Sequence, residues 1–398
     1  MKKGFIGLVF LWVTQICCAQ FSLRSDQPIK LACDNAEEKV VQTALKLFIR
    51  DYQSVFSASA AVDARQGNII VGTVGKSPLL KAVSADVSAL AGKKQAFLLQ
   101  VLPDGKLLVA GSDSHGTAYG IMELSRLIGV SPWEWWADVT PEKKTSFVLS
   151  AEYQTLQSPS VEYRGIFIND EDWGLYRWSR DNFEKELGNF GPRTYAKVCE
   201  LLLRLQANYL CPAMHDASMA FHRIPENRVV ADRFAILMGA SHCEPLLFNT
   251  ASEWKRDKMG EWDYINNKKG VDSVLNVRVK ECAPFENVYT LALRGLHDRA
   301  MNASNDMGDR KDMLQEALMA QRQMLIDAIG KPGEEIPQAF TPYKEVLDVY
   351  DEGLELPDDV TIIWPDDNYG YMKRLSSPKE QKRSGRSGCL LYTSDAAD

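Results

Sequence analysis

Several short patterns that would assign a chemistry are missing from this sequence of 398 residues. No glycine-rich fingerprint follows an apolar strand, which argues against a nucleotide-binding fold. No G-x-S-x-G stretch places a serine nucleophile, no C-x-x-C pair indicates a redox or metal-finger site, and no His, Asp and Glu spacing matches a zinc site. A catalytic function would therefore depend on groups that no such motif identifies.

Positive charge is not in excess either. Lys and Arg number 46 against 53 Asp and Glu, so the formal net charge is −7 and the pI is about 5.5. This balance leaves no basic footprint for nucleic acid, and no pattern in the sequence indicates a cofactor. Hydrophobic residues at 45% and charged residues at 25% are typical of a globular protein, and 398 residues suffice for two or more domains.

Residues 1–20 are not predicted to belong to a folded domain. Two lysines and an apolar stretch over 5–13 precede small residues that end at Ala19. This pattern predicts a cleaved signal peptide and therefore a secreted or periplasmic protein. A surface lipoprotein anchored through Cys17 or Cys18 is the alternative, although the residues before them make a poor lipobox. No later segment approaches the roughly 18 to 20 apolar residues that span a bilayer.

Residues 21–150 alternate helical and extended patterns. Apolar residues recur at helical spacing over 37–52, and 68–74 is a short apolar strand. Two further apolar runs, 97–101 and 107–110, flank a Pro-Asp-Gly turn and predict a hairpin. The sequence therefore predicts a small N-terminal α/β domain without a cluster of nucleophiles or metal ligands.

A regular alternation of strand and helix patterns occupies residues 155–388. Such alternation implies a parallel sheet with helical crossovers. The six predicted strands are 163–168, 208–212, 240–242, 289–293, 338–341 and 360–364. The predicted helices are 192–206, 226–238, 313–329 and 344–350.

Ionisable residues follow each predicted strand. A (β/α)8 barrel places such residues around its active-site mouth, whereas an open doubly wound sheet concentrates them at one switch point. The predicted fold class is therefore α/β, a small α/β domain followed by a (β/α)8 barrel of which six strands are visible. The groups that follow the strands are Asp170 to Asp172, His215 and Asp216, His242 and Glu244, Arg294 to Asp298, Lys344 and Glu345, and Asp366 to Asn368.

These carboxylates are candidates for glycoside cleavage, which needs two carboxyl groups on either side of the scissile bond. The three adjacent acids that begin at Asp170 repel one another and are costly unless they are used, although they also suit a helix N-terminus. Arg294 can hold a substrate carboxylate through two parallel hydrogen bonds, or form a structural ion pair at the rim. Lys344 and Glu345 belong either to this site or to the solvated start of a helix, and His242 is either a site residue or a core histidine.

Five stretches, in matching order, resemble motifs of glycoside hydrolase family 115. The N-terminal α/β region, including 112–136, also looks like the first domain of that family. The family consists of inverting α-glucuronidases that remove glucuronic acid or its 4-O-methyl ether from xylan, so the resemblance implies glucuronoxylan or its oligosaccharides as the partner. The five stretches are 164–174 (RGIFINDEDWG), 238–245 (MGASHCEP), 294–298 (RGLHD), 342–346 (PYKEV) and 364–371 (WPDDNYGY).

The resemblance also implies roles for individual residues. Asp170 and Glu345 become the leading catalytic acids and Asp298 a third essential carboxylate, and which of them is acid and which is base stays open. Arg294 would pair with the carboxylate of the uronic acid. Inversion requires the two catalytic carboxyls roughly 6.5 to 9.5 Å apart, which leaves room for a water molecule. The other residues implied in substrate binding are Asn169, Glu171, His242, Glu244, His297 and Asn368.

The sequence departs from the family at three places. Cys243 stands where the family usually has a second histidine, and His215 where a tryptophan is common. After residue 388 the family continues into a seventh strand with a His-x-x-Tyr motif, whereas 389–398 resemble a translated sequencing adapter or an assembly artefact. We therefore expect a truncated barrel that folds poorly and is inactive, and a function that belongs to the full-length protein, either monomeric or homodimeric.

Two other functions stay open at this stage. One is a different barrel glycosidase, such as a retaining hexosaminidase-like enzyme, whose catalytic carboxyls would lie only about 5 Å apart. The other is a non-catalytic secreted protein that binds carbohydrate through exposed aromatic side chains. In that protein, Asp170, Arg294 and Glu345 would not converge on one cleft.

Overall fold

The structure, a computed structural model, describes residues 19–83, 85–169, 171–367 and 369–390. The chain divides after Ser160 into two compact units. Nearly all of the predicted signal peptide, and the predicted site residues Asp170 and Asn368, lie outside the described residues. None of the helices in the described part of the chain is both long and apolar enough to cross a lipid bilayer.

The first unit contains a six-stranded mixed sheet and a two-stranded antiparallel sheet. Its strands are β1 (Phe21–Arg24), β2 (Ile29–Cys33), β3 (Ala60–Asp63), β4 (Ile69–Thr73), β5 (Phe97–Val101), β6 (Leu107–Gly111), β7 (Ser146–Leu149) and β8 (Gln154–Gln157). Its helices are α1 (Lys39–Phe56), α2 (Pro78–Lys81) and α3 (Ser114–Leu127). The large sheet has the order β3-β2-β4-β6-β5-β8, and the predicted hairpin is the antiparallel pair β5 and β6. Helices α1 and α3 pack against each other.

The second unit has seven strands in its described residues, all parallel and all adjacent in chain order. The strands are β9 (Gly165–Phe167), β10 (Tyr209–Cys211), β11 (Leu237–Met238), β12 (Tyr289–Thr290), β13 (Gln338–Phe340), β14 (Thr361–Pro365) and β15 (Ser387–Leu390). The helices are α4 (Leu175–Trp178), α5 (Pro192–Arg204), α6 (Pro225–Arg233), α7 (Arg256–Met259), α8 (Lys268–Cys282), α9 (Met307–Ile329) and α10 (Glu345–Asp351). A parallel bridge between Met238 and Asn287 connects β9–β11 to β12–β15. The carboxyl ends of these strands therefore point in one general direction, and the loops that follow them gather there.

One buried glutamine fixes the segment that leads from β12 into the predicted site. Gln321 lies on α9 and is fully buried. Its Nε2 donates to the carbonyl of Ala292 (2.6 Å), and its Oε1 accepts from the N–H of Ala292 (3.0 Å). Because both main-chain groups of Ala292 are held by one side chain, the position of Arg294, two residues later, is tied to α9.

The predicted helix over 226–238 is present but ends five residues early, and the third strand lies at Leu237–Met238 and not over 240–242 as predicted. Helix α6 ends at Arg233, because Ala235 adopts a left-handed conformation (φ 51°). The N–H of Ile236 then donates to the carbonyl of Ala231 (3.0 Å), which closes the helix end as a Schellman motif does. The third strand begins immediately afterwards, at Leu237. Helix α8 and the seventh parallel strand, β15, were not predicted from the sequence.

Candidate active site

A cluster of five side chains lies after the carboxyl ends of β11, β12 and β13. We call it the Arg294 cluster, and it consists of His242, Arg294, Asp298, Lys344 and Glu345. The Arg294 side chain is 1% exposed. Its Nε and Nη2 donate to the two carboxylate oxygens of Glu345 at 3.0 and 2.8 Å, and its Nη1 donates to Asp298. The guanidinium is thus held by two protein carboxylates.

Asp298 is bound by three different side chains of the Arg294 cluster. Besides Arg294, His242 contacts Oδ1 through Nε2 at 2.7 Å, and the Lys344 ammonium donates to Oδ2 at 2.5 Å. Burial opposes ionisation of Asp298, but these donors outweigh it and hold the pKa of the carboxyl well below its usual range. These contacts therefore hold Asp298 as the carboxylate.

His242 is neutral in this arrangement. Burial lowers its pKa, and Asp298 offsets that effect only in part. A neutral imidazole with Nε2 beside a carboxylate oxygen must carry its proton on that nitrogen. Its ring lies against that of Tyr343, with 4.4 Å between the centroids. His242 therefore serves Asp298 as a hydrogen-bond donor without adding a charge.

Two residues of this region have main-chain angles that L-residues rarely adopt. His297 has φ 59°, and Lys344 has φ 51° with ψ −126°. The His297 N–H donates to Thr250 Oγ1 (3.1 Å), and its ring lies 5.5 Å from that of His215. Such strain persists only where the surrounding contacts impose it, and it concentrates at functional sites.

The residues after β9 form a second group. Glu171 is buried, and its Oε1 accepts from the His215 N–H (2.8 Å) and from Ser218 Oγ (2.5 Å). His215 Nδ1 lies 3.1 Å from Asp172. Glu171 therefore joins the loop after β9 to the loop after β10, while Asn169 is half-buried at the end of β9.

Glu244 is bound within its own loop. It accepts from the N–H and the hydroxyl of Ser241 (3.1 and 2.8 Å) and from Asn249 Nδ2 (2.8 Å). Burial raises its pKa to about 7. It lines a small pocket with His222 and Glu253. Glu244 is therefore buried, with hydrogen bonds to Ser241 and Asn249. Its role in substrate binding stays a prediction.

The structure brings together four of the predicted site residues, namely His242, Arg294, Asp298 and Glu345. The fifth member of the cluster is Lys344, for which the sequence left open whether it belongs to the site or to the solvated start of a helix. Tyr343 was missed, although it directly precedes the Lys-Glu pair. The roles predicted for Asp170 and Asn368 stay predictions. The described residues contain no group of three or more His, Cys, Asp or Glu side chains that could hold a metal ion.

Exposed aromatic side chains follow β14. Asp367 Oδ1 accepts from the N–H groups of Tyr369 (2.9 Å) and Tyr371 (3.0 Å), so this turn is held by its own carboxylate. The two tyrosines are 84% and 70% exposed. Trp173, in the loop after β9, is 80% exposed. An exposed aromatic ring offers an apolar face to a ligand, so these side chains are candidates for binding.

Comparison with known proteins identifies the family. The family model described as glycosyl hydrolase family 115 matches residues 156–395. Among solved structures, the chain is similar to BtGH115A, described as a family GH115 4-O-methyl-α-glucuronidase with specificity for decorated arabinogalactans. The identity is 52% and the TM-score 0.90, and the match covers 93% of this chain and 49% of that one. This chain therefore spans about half the length of BtGH115A.

More distant structures share the fold alone. A Streptomyces plicatus β-hexosaminidase has a TM-score of 0.55 at 10% identity, over 95% of this chain and 72% of that one. A Flavobacterium johnsoniae chitobiase has a TM-score of 0.52 at 12% identity, over 91% of this chain and 53% of that one. A search of curated proteins gives no match. The mixed α/β class and the family predicted from the sequence are confirmed: the chain belongs to glycoside hydrolase family 115.

Proposed function

We propose that this chain carries the glucuronic-acid site of a glycoside hydrolase, which removes glucuronic acid or its 4-O-methyl ether from a polysaccharide. Family membership supports the reaction class. The observation that carries the site is the Arg294 cluster, in which two carboxylates from different loops converge on one buried guanidinium. Because the chain spans about half of BtGH115A, the activity is proposed for the full-length protein and not for these residues alone.

We propose further that β9–β15 belong to a (β/α)8 barrel with the Arg294 cluster at its mouth. The strands are parallel, and their spatial order equals their chain order, as in a barrel. The cluster residues all follow carboxyl ends of strands, which is where barrel enzymes carry their active sites. An open doubly wound sheet would instead reverse its strand order at a switch point.

The ionised state of Asp298 limits the roles it can take. A carboxylate cannot be the general acid. We therefore propose that Asp298 either activates the attacking water or stabilises the positive charge that develops on the sugar. Because the Arg294 guanidinium also pairs with both carboxylate oxygens of Glu345, we assign protonation of the leaving oxygen to Asp170. In an inverting mechanism the acid and the base lie roughly 6.5 to 9.5 Å apart, with the water between the base and the sugar.

The polysaccharide backbone has two candidates. The family resemblance favours glucuronoxylan, whereas the 52% identity to BtGH115A favours decorated arabinogalactan. Both carry the same terminal sugar, so the Arg294 cluster suits either. We propose that Tyr369 and Tyr371 contact the polysaccharide backbone, because an exposed aromatic ring offers an apolar face on which a sugar ring can stack.

The test measures uronic acid released from glucuronoxylan and from arabinogalactan. It compares a protein extended to its natural C-terminus with the 398-residue chain, and each with Asp298→Asn and Glu345→Gln variants. We expect release by the extended protein from at least one substrate and a loss of about 10³-fold or more in either variant. No release from a well-folded extended protein would refute the glucuronidase proposal and favour a non-catalytic carbohydrate-binding protein.

A further inference from the structure

A small pocket lies between the loop after β10 and the loop after β11 in the second unit. Its volume is about 10 Å³, which admits one water molecule and is far too small for a sugar. Four polar side chains, all buried, contribute to its wall: His222, Glu244, Asn249 and Glu253. An apolar cavity stays dry, whereas a polar one of sufficient size binds water.

His222 has a buried hydrogen-bonding atom that needs a partner. The residue is 6% exposed and lies in a single 3-10 turn, Phe221–Arg223. Its Nδ1 lies 3.4 Å from Cys282 Sγ, whereas its Nε2 has no hydrogen-bond partner among the residues that the structure describes. The two ring nitrogens point to nearly opposite sides, so Nε2 faces away from Cys282. In one neutral tautomer Nε2 donates and in the other it accepts, so either tautomer requires a partner there.

This partner does not need to carry a charge, because His222 is neutral. Burial lowers the pKa of His222 well below its usual range, and the nearby Arg278 and Arg228 act in the same direction. Burial also raises the pKa of the Cys282 thiol to about 12. An anion would gain no charge–charge attraction from this imidazole. A water molecule is therefore the partner of matching size and charge.

Glu244 connects the wall of the pocket to the turn that carries His242. Its Oε2 accepts from the N–H (3.1 Å) and the hydroxyl (2.8 Å) of Ser241, and its own N–H donates to the Ser241 carbonyl (3.2 Å). These three bonds hold residues 241–244 as one turn, which we call the His242 turn. From this turn, His242 Nε2 contacts Asp298 Oδ1 at 2.7 Å. A contact on the Glu244 carboxyl group therefore acts on the position of His242 and, through it, on Asp298.

We infer that the pocket binds one internal water molecule, which bridges His222 Nε2 and the Glu244 carboxyl group and thereby positions the His242 turn. The consequence for catalysis rests on the proposed function, because the turn belongs to the proposed active site. Asn249 already joins the same two loops, since its Nδ2 donates to the Met214 carbonyl (2.9 Å) and to Glu244 Oε1 (2.8 Å). The water adds a second link, from the 3-10 turn that precedes α6. His222 is thus a positioning residue that acts through water.

The experiment determines crystal structures of the full-length protein with its natural sequence, with His222→Gln and with His222→Asn. Glutamine places its amide where Nε2 of the imidazole lies, whereas asparagine places its amide where Nδ1 lies, so the pair separates the pocket side of the ring from the Cys282 side. We expect a water molecule within about 3.2 Å of Nε2 in the natural sequence, and of the amide in His222→Gln. In His222→Asn we expect no such water, and we expect the contact between His242 and Asp298 to lengthen beyond about 3.5 Å.

Uronic acid release by the same three proteins measures the effect on catalysis. His222→Asn should lower kcat by about tenfold and leave KM within about twofold, because it displaces a proposed catalytic carboxylate without removing a substrate contact. His222→Gln should retain most of kcat. A merely structural role for His222 would lower the melting temperature and the amount of active enzyme in both variants, without this division between kcat and KM.

The natural sequence alone can refute the inference, even if a variant fails to fold. The absence of an ordered water at His222 Nε2 in its crystal structure would do so. An unchanged water in His222→Asn would also refute it, as would loss of the water with the His242–Asp298 contact and kcat both unchanged. If the folded full-length protein releases no uronic acid, the proposed function fails by itself. The water and the His242–Asp298 distance in the three structures then still decide the inference.

Discussion

Replacing Arg294 by methionine should destabilise the second unit strongly, because the substitution leaves Glu345 with an unpaired charge. Glu345 would lose two charge-assisted hydrogen bonds and keep only the Met301 N–H at 3.2 Å. Two such bonds contribute about 3 to 6 kcal/mol, and breaking a buried pair typically costs about 3 to 5 kcal/mol. Since the Glu345 side chain is 17% exposed, water can replace part of this, and we expect about 3 kcal/mol.

The assay is urea unfolding of the full-length protein, followed by fluorescence. With an m-value of about 3 kcal/mol/M, the midpoint for the second unit should fall by about 1 M. The double variant Arg294→Met/Glu345→Leu should recover most of this loss, because replacing both members of a buried pair by apolar residues is often neutral. A loss below about 1 kcal/mol, or a double variant less stable than Arg294→Met, would refute the view that Arg294 serves these carboxylates.

Three further perturbations test other contacts. Gln321→Leu should lower the free energy of unfolding by about 1 to 3 kcal/mol, because it leaves both main-chain groups of Ala292 unpaired; an unchanged urea midpoint would contradict this. Glu244 has a folded-state pKa raised to about 7, so its contribution to stability is present below its unfolded pKa and is lost as pH rises toward and through 7. Glu244→Gln should therefore flatten stability between about pH 4.5 and 7, and an unchanged slope would count against a buried, proton-binding Glu244. Tyr369→Ala and Tyr371→Ala should each weaken binding of the target polysaccharide about tenfold in affinity electrophoresis without changing the melting temperature, whereas equal mobility would exclude a stacking role.

Regular elements with strong patterns could be predicted from the sequence, and their ends could not. Helix α5 was predicted from apolar spacing and begins at Pro192 as expected, because proline suits the first turn. Its end was predicted too late. Gln206 adopts the left-handed conformation that ends a helix, and glycine is the residue that usually marks this position in a sequence. Ala235 ends α6 in the same way. When a residue other than glycine ends a helix in this way, the sequence contains no pattern that predicts the helix end.

Helix α8 was missed because an arginine lies on its buried face. Its buried residues recur at helical spacing, but Arg278 is one of them. That side chain is buried because it pairs with Glu253 through two hydrogen bonds (2.6 and 3.0 Å) and donates to the Leu247 carbonyl. A charged residue is read as a surface residue unless its partner is known, and this partner is 25 positions away. Only the tertiary structure supplies it.

The same limit applies to the site, where the sequence found the charged residues but not their pairing. Arg294 and Glu345 are 51 positions apart, and no local pattern tells whether an arginine will hold a protein carboxylate or a substrate. In the Arg294 cluster, Arg294 and Lys344 balance Asp298 and Glu345, and His242 is neutral. Which charge pairs with which is therefore decided by the loops after β11, β12 and β13 together, and no single loop of the sequence contains that information.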